Sequence, residues 1–162
     1  MDVDNDSHAP VKAVQLRSAD GRYLLEFVLK PLSEPKHQNW HSYELHMTDI
    51  KNRKKASLMS TEEHTLFLDK VIEPEIPALS AGLRRAATTG EPYTFEPVDE
   101  RDFRLDLAEE TSGIRLKIQY ESASASGEYG WPAGVIVDKA DLIRFANDLE
   151  SIFRDEIVKV NL

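Results

Sequence analysis

The sequence predicts an α+β fold: an antiparallel β-sheet with two main helical segments packed on one face. Three observations carry that expectation. Phe103-Arg-Leu-Asp-Leu107 and Ile114-Arg-Leu-Lys-Ile118 alternate apolar and charged residues around a Ser112-Gly113 turn, the period of half-buried strands. Tyr23 to Leu29 is apolar on both faces, which suits a strand in the middle of a sheet. Leu142, Phe145, Ala146, Leu149, Ile152 and Phe153 recur at helical spacing and form the apolar stripe of a long helix.

Length and composition bound the answer. The 162 residues suffice for one domain with its own core, read here as residues 11–162 behind a polar, acidic lead-in, 1–10, expected to be disordered. There is no cysteine, which excludes a disulfide framework and any thiolate metal site. No signal-like apolar stretch opens the chain and no run is long enough to span a bilayer, so the expected location is cytoplasmic, with no membrane partner.

The formal charge of −9 is unevenly spread: residues 1–90 hold 12 Lys/Arg against 13 Asp/Glu, and residues 91–162 hold 8 against 16. Such a field disfavours nucleic acid and favours a basic protein partner through electrostatic steering. An acidic surface kept for solubility alone explains the same numbers.

The elements follow in order. Val11–Ser18 is a strand, Asp20-Gly21 a tight turn, and Tyr23–Leu29 the second arm of the hairpin. Pro31 and Pro35 open a polar loop, and Trp40–Met47 is a third strand. Lys51-Asn-Arg-Lys-Lys55 is a basic turn, read as a solvated hairpin tip, leading into a short strand, Ala56–Met59. Ser60 or Thr61, followed by Glu62 and Glu63, predicts the capped start of a helix bearing Leu66, Phe67, Val71 and Ile72, ended by Pro74. A second helical piece is expected from Ile76 or Pro77 to Ala87, with Arg84 and Arg85 in its last turn. After the charged hairpin come a small, polar loop (121–130), a strand from Ala133 to Val137, and Asp138 as cap of the final helix. Leu58–Phe67 and Ile136–Phe145 share the order strand, cap, helix, phenylalanine, which suggests a ββ(β)βα–βββα pseudo-repeat.

Catalytic readings find little support in the residues. His41 and His46 stand five apart on one strand and point to opposite faces, so no convergent zinc set is expected. Neither a G-x-S-x-G turn nor a phosphate-binding glycine loop occurs, and no cofactor is expected. The carboxylates Glu96, Asp99, Glu100, Asp102, Asp106, Glu109 and Glu110 are dense enough to suggest acid/base chemistry, which needs two of them in a cleft with separated pKa values. Their alternation with Arg104, opposite Arg115 and Lys117, is met more simply by cross-strand pairing on a solvated face. Tyr129 and Trp131, in a glycine-flanked loop, are candidate interface anchors, because aromatic residues are enriched at binding hot spots; plugging the edge of the core is the equal alternative.

The order of these features resembles a known group. Asn39-Trp40 opening an inner strand, the capped Ser60-Thr61-Glu62-Glu63, Phe95-Glu96-Pro97, the alternating Phe103–Leu107, Tyr120-Glu121 and the closing strand and helix from Val135 to Phe153 are similar to the immunity proteins of bacterial wall-associated, contact-dependent polymorphic toxins. The insertion Val98–Arg101 and the lack of an aromatic within the helix cap depart from that pattern. The resemblance implies a non-enzymatic protein that binds and neutralises a cognate toxin. The resemblance carries no binding residue over; by their own acidity and aromaticity Glu96, Asp99, Glu100, Asp102, Asp106, Tyr129 and Trp131 are the candidate contacts for a basic toxin domain. The alternatives are a self-associating structural or adaptor domain, working as a homodimer, and a carboxylate-dependent hydrolase.

Overall fold

The computed structural model describes residues 12–29, 40–67, 75–96, 103–120 and 134–160. Its elements are β1 (Lys12–Arg17), β2 (Tyr23–Leu29), β3 (Trp40–Asp49), β4 (Lys54–Phe67), α1 (Glu75–Thr89), β5 (Tyr93–Phe95), β6 (Phe103–Glu110), β7 (Gly113–Tyr120), β8 (Gly134–Val137) and α2 (Lys139–Val160). The class is α+β, as expected. The strands form two antiparallel sheets of four rather than one sheet, ordered β1-β2-β3-β4 and β5-β6-β7-β8, each followed in the chain by a helix. The lead-in 1–10, the Pro31/Pro35 loop and the 121–130 loop lie outside the described residues.

Alternation decides which face of each strand is buried. In the first sheet Val14 lies opposite Phe27 and Leu16 opposite Leu25, and Phe27 and Leu25 in turn face Leu45 and Met47; all six are buried. In the second sheet Phe95, Leu105 and Ile118 form one cross-strand row and Leu107, Leu116 and Val135 another, again all buried. The two inner faces, with Leu79, Leu83, Ala86 and Ala87 of α1 and Leu142, Phe145, Ala146, Leu149 and Ile152 of α2, make one core. Leu83, Leu107, Ile114, Leu116, Leu142 and Leu149 are the largest side chains almost wholly removed from water. Each contributes about 1.5–3 kcal/mol relative to an exposed position.

Two expectations are corrected. The predicted helix beginning at Ser60 or Thr61 is instead the continuation of β4, which runs through Leu66 to Phe67; Val71 and Ile72 lie outside the described residues. Strand pairing overrides the local capping signal: Glu44 pairs with Ser60, and Trp40, His41 and Ser42 pair with Phe67, Leu66 and Thr65. Between those pairs one residue of β3, Tyr43, faces four of β4, so the sequence Thr61-Glu-Glu-His64 is taken up as an irregularity in the strand. The likeness of Leu58–Phe67 to Ile136–Phe145 is therefore not structural, since the first stretch is all strand and the second turns helical at Lys139.

The second correction concerns α1, which continues past Ala87 to Thr89, so Arg84 and Arg85 precede its last turn. The extra residues close the helix with their own hydroxyls. Thr88 donates to the Arg84 carbonyl at 2.9 Å and Thr89 to the Arg85 carbonyl at 2.7 Å. Gly90, at φ +77°, then donates its N–H to Ala86 O at 3.0 Å, the left-handed helix stop that glycine adopts without strain. The helices are joined by Arg84, whose Nη2 lies 2.6 Å from Glu150 Oε1 and whose Nη1 donates to Asn147 Oδ1 at 3.2 Å.

Candidate protein-binding surface

The alternation that buries Leu105 and Leu107 must send Arg104 and Asp106 outward, and the same holds for Lys117 and Gln119 on β7. Register then brings Thr94, Asp106 and Lys117 into one row across β5, β6 and β7. Asp106 sits at the centre of this outer face. It accepts hydrogen bonds from Thr94 Oγ1 at 2.6 Å, from Arg104 Nε at 3.0 Å and, on its other oxygen, from Gln119 Nε2 at 3.5 Å. Partial desolvation works against its ionisation. The hydrogen bonds from Thr94 and Arg104, with the charges of Arg104 and Lys117, outweigh that and hold the carboxyl below its usual range.

Neighbouring carboxylates are matched in the same way. Arg115 Nε pairs with Glu110, Lys139 Nζ with Glu109 at 2.7 Å, Arg85 with Glu91 at 3.0 Å, and Arg144 with Asp141 at 3.0 Å. Glu96 differs. It is exposed, one residue beyond the Phe95–Leu105 pair, and has no ion pair among the described residues. Of the seven candidate contacts, Asp106 lies on β6 and Glu96 directly follows β5, the strand paired with it. Asp99, Glu100, Asp102, Tyr129 and Trp131 lie outside the described residues. Among the described residues no group of three or more His, Asp and Glu is placed to hold a metal ion, and no helix is long and apolar enough to cross a membrane.

Two features at the turn end of the first sheet escaped sequence reasoning. The first is a lock between the β1–β2 and β3–β4 turns. Asp49 is buried and accepts from Asn52 N at 3.2 Å, from Asn52 Nδ2 at 2.9 Å and from Arg22 Nη2 at 3.4 Å, while Ile50 N–H donates to Arg22 O at 2.8 Å. Burial alone would raise the Asp49 carboxyl; these donors lower it overall. The guanidinium of Arg22 also lies 5.1 Å from the Tyr23 ring centroid. The lock presents Lys51, Arg53 and Lys54 to solvent, with Arg53 at φ 55°. Aspartate and asparagine are residue types that turns favour, because their short polar side chains bond nearby backbone.

The second is a cleft of about 390 Å³ where the sheets meet, lined by Ser18, Ala19 and Asp20 of the β1–β2 turn, Tyr23 of β2, Ser112 of the β6–β7 turn, and Gly134, Val135 and Ile136 of β8. Ala19 N–H donates to Ile136 O at 2.8 Å and ties its walls together. No local pattern in the sequence signals this meeting. No protein-family model, curated protein or solved structure matches the chain.

Proposed function

We propose that this chain is a non-enzymatic binding protein of the immunity type, which binds a basic toxin domain and neutralises it. The observation that carries the reading is the outer face of the second sheet. Its central carboxylate, Asp106, is held by Thr94, Arg104 and Gln119 before any partner arrives, and the exposed Glu96 has no ion pair among the described residues. A surface whose polar groups are already ordered loses little conformational entropy on binding. The charge of the second half of the chain supports a basic partner: 16 acidic against 8 basic residues. The resemblance outside Ser60–Glu63, where strand replaces the expected capped helix, supplies the toxin class, and the cytoplasm of the protected cell is the proposed place of action.

The test is co-expression of this chain with the product of the adjacent upstream gene. That product is expected to arrest growth alone and to be harmless, and co-purified, when the chain is present. A product that is harmless alone, or equally toxic with the chain, overturns the proposal. A second reading rests on β4, which pairs with β3 on one edge and with no described strand on the other. An open edge of this length favours self-association by strand addition. Light scattering separates the readings, since the adaptor reading requires a homodimer.

A further inference from the structure

We infer that the cleft between the sheets is an anchor site for a cationic side chain, a lysine or arginine of a protein partner. The inference rests on the proposal that the partner is basic, but it names a different surface from the face around Asp106.

The chemistry of the lining carries it. Asp20 accepts with Oδ1 from Ser18 Oγ at 2.7 Å and from Arg22 N–H at 3.0 Å. Those bonds fix the carboxylate and, with the backbone hydrogen bond of Arg22 the largest effect and that of Ser18 next, hold it below its usual pKa range. Its Oδ2 accepts no hydrogen bond within the described residues. Ser18 is itself buried, and its hydroxyl accepts from Tyr23 N–H at 2.9 Å, so the turn that presents Asp20 is fixed from inside. The opposite wall is lined by Ser112, and Ala19, Tyr23, Val135 and Ile136 complete a largely apolar lining. An apolar-walled cleft with one committed anion and one hydroxyl fits an alkyl stem carrying a positive head, which buries its methylenes and keeps its charge at the rim. Arg22 donates its guanidinium to Asp49 and reaches Asp20 through its charge alone, a smaller effect than its backbone hydrogen bond. At about 390 Å³ the cleft has the size of small-ligand sites and admits a single long side chain with water.

The experiment uses the full chain, labelled with nitrogen-15, and three blocked tripeptides: acetyl-Gly-Arg-Gly-amide, its lysine counterpart, and its norleucine counterpart as neutral isostere. The arginine and lysine peptides are expected to shift the amides of Ala19, Asp20, Ser112 and Ile136, binding about two- to fivefold more tightly than norleucine, the size of one solvent-exposed charge pair. Asp20→Asn keeps an oxygen for Ser18 and should erase that preference. Ser112→Trp fills the cleft from the facing turn and should remove binding of all three peptides while leaving Asp20 intact. Shifts centred elsewhere, equal binding of norleucine, or a preference that survives Asp20→Asn overturns the inference. If the neighbouring gene's product is neutralised equally well by the Asp20→Asn chain, the proposed function stands and the cleft is not its anchor.

Discussion

The ring of Tyr93 on β5 occupies the space where a side chain on Gly82 of α1 would begin. A Cβ built at Gly82 would lie 2.0 Å from the Tyr93 Cζ and 2.3–2.4 Å from the two Cε atoms. The ring's hydroxyl donates to Ala78 O at 3.3 Å, one turn back along the same helix. This contact sets how closely α1 approaches the second sheet, and so where the loop after Thr89 delivers β5 and Glu96.

Gly82→Ala is therefore expected to destabilise the protein by about 1–3 kcal/mol through overpacking. Helix propensity alone predicts the opposite, a gain of about 1 kcal/mol. Urea denaturation of the single variant, and of the same change in a Tyr93→Ala background where the obstruction is gone, separates the two effects. Increased stability of the single variant would refute the contact.

Ser80 of α1 is fully buried, and its hydroxyl has no hydrogen-bond partner among the described residues. A desolvated, unsatisfied hydroxyl costs about 1–3 kcal/mol, and alanine at the same helical position removes it without opening a large void. Ser80→Ala is predicted to raise the midpoint of thermal unfolding by several degrees, equivalent to about 1 kcal/mol. A lower midpoint would mean that the hydroxyl serves an interaction worth more than its burial costs.

The pH dependence of stability carries the signature of Asp106. Its folded pKa lies below its ordinary value of 3.8, so the native state favours the ionised form. The sign follows: the stabilisation is present above the ordinary value and is lost as pH falls through it to the depressed folded value, below which nothing remains. In Asp106→Asn, unfolding free energy measured between roughly pH 6 and 3 should fall less steeply than in the parent chain. Parallel curves would show that the Thr94 and Arg104 hydrogen bonds do not favour the charged carboxylate.

Much of the architecture was legible in local pattern, and the reason differs by element. The inward Leu105, Leu107, Ile114, Leu116 and Ile118 and the outward Arg104, Asp106, Arg115 and Lys117 follow from period two alone. The stripe Leu142, Phe145, Ala146, Leu149 and Ile152 follows from period 3.6, and all five residues are buried. At Ser60–Glu63 the same kind of evidence misled. A serine or threonine followed by two glutamates satisfies helix capping on its own terms, but β3 offered a backbone ladder that continued to Phe67.

The sequence by itself determined which residues face inward along each strand and along α2, because side-chain direction is a covalent consequence of backbone period. Tertiary structure alone decided that the strands divide into two sheets of four, that Ala19 meets Ile136, that Tyr93 covers Gly82, and that Asp20 and Ser112 look into one cleft. Those pairings join residues far apart in the chain, and no local periodicity encodes them. They are settled by the packing of whole faces, where many weak contacts outweigh any short motif.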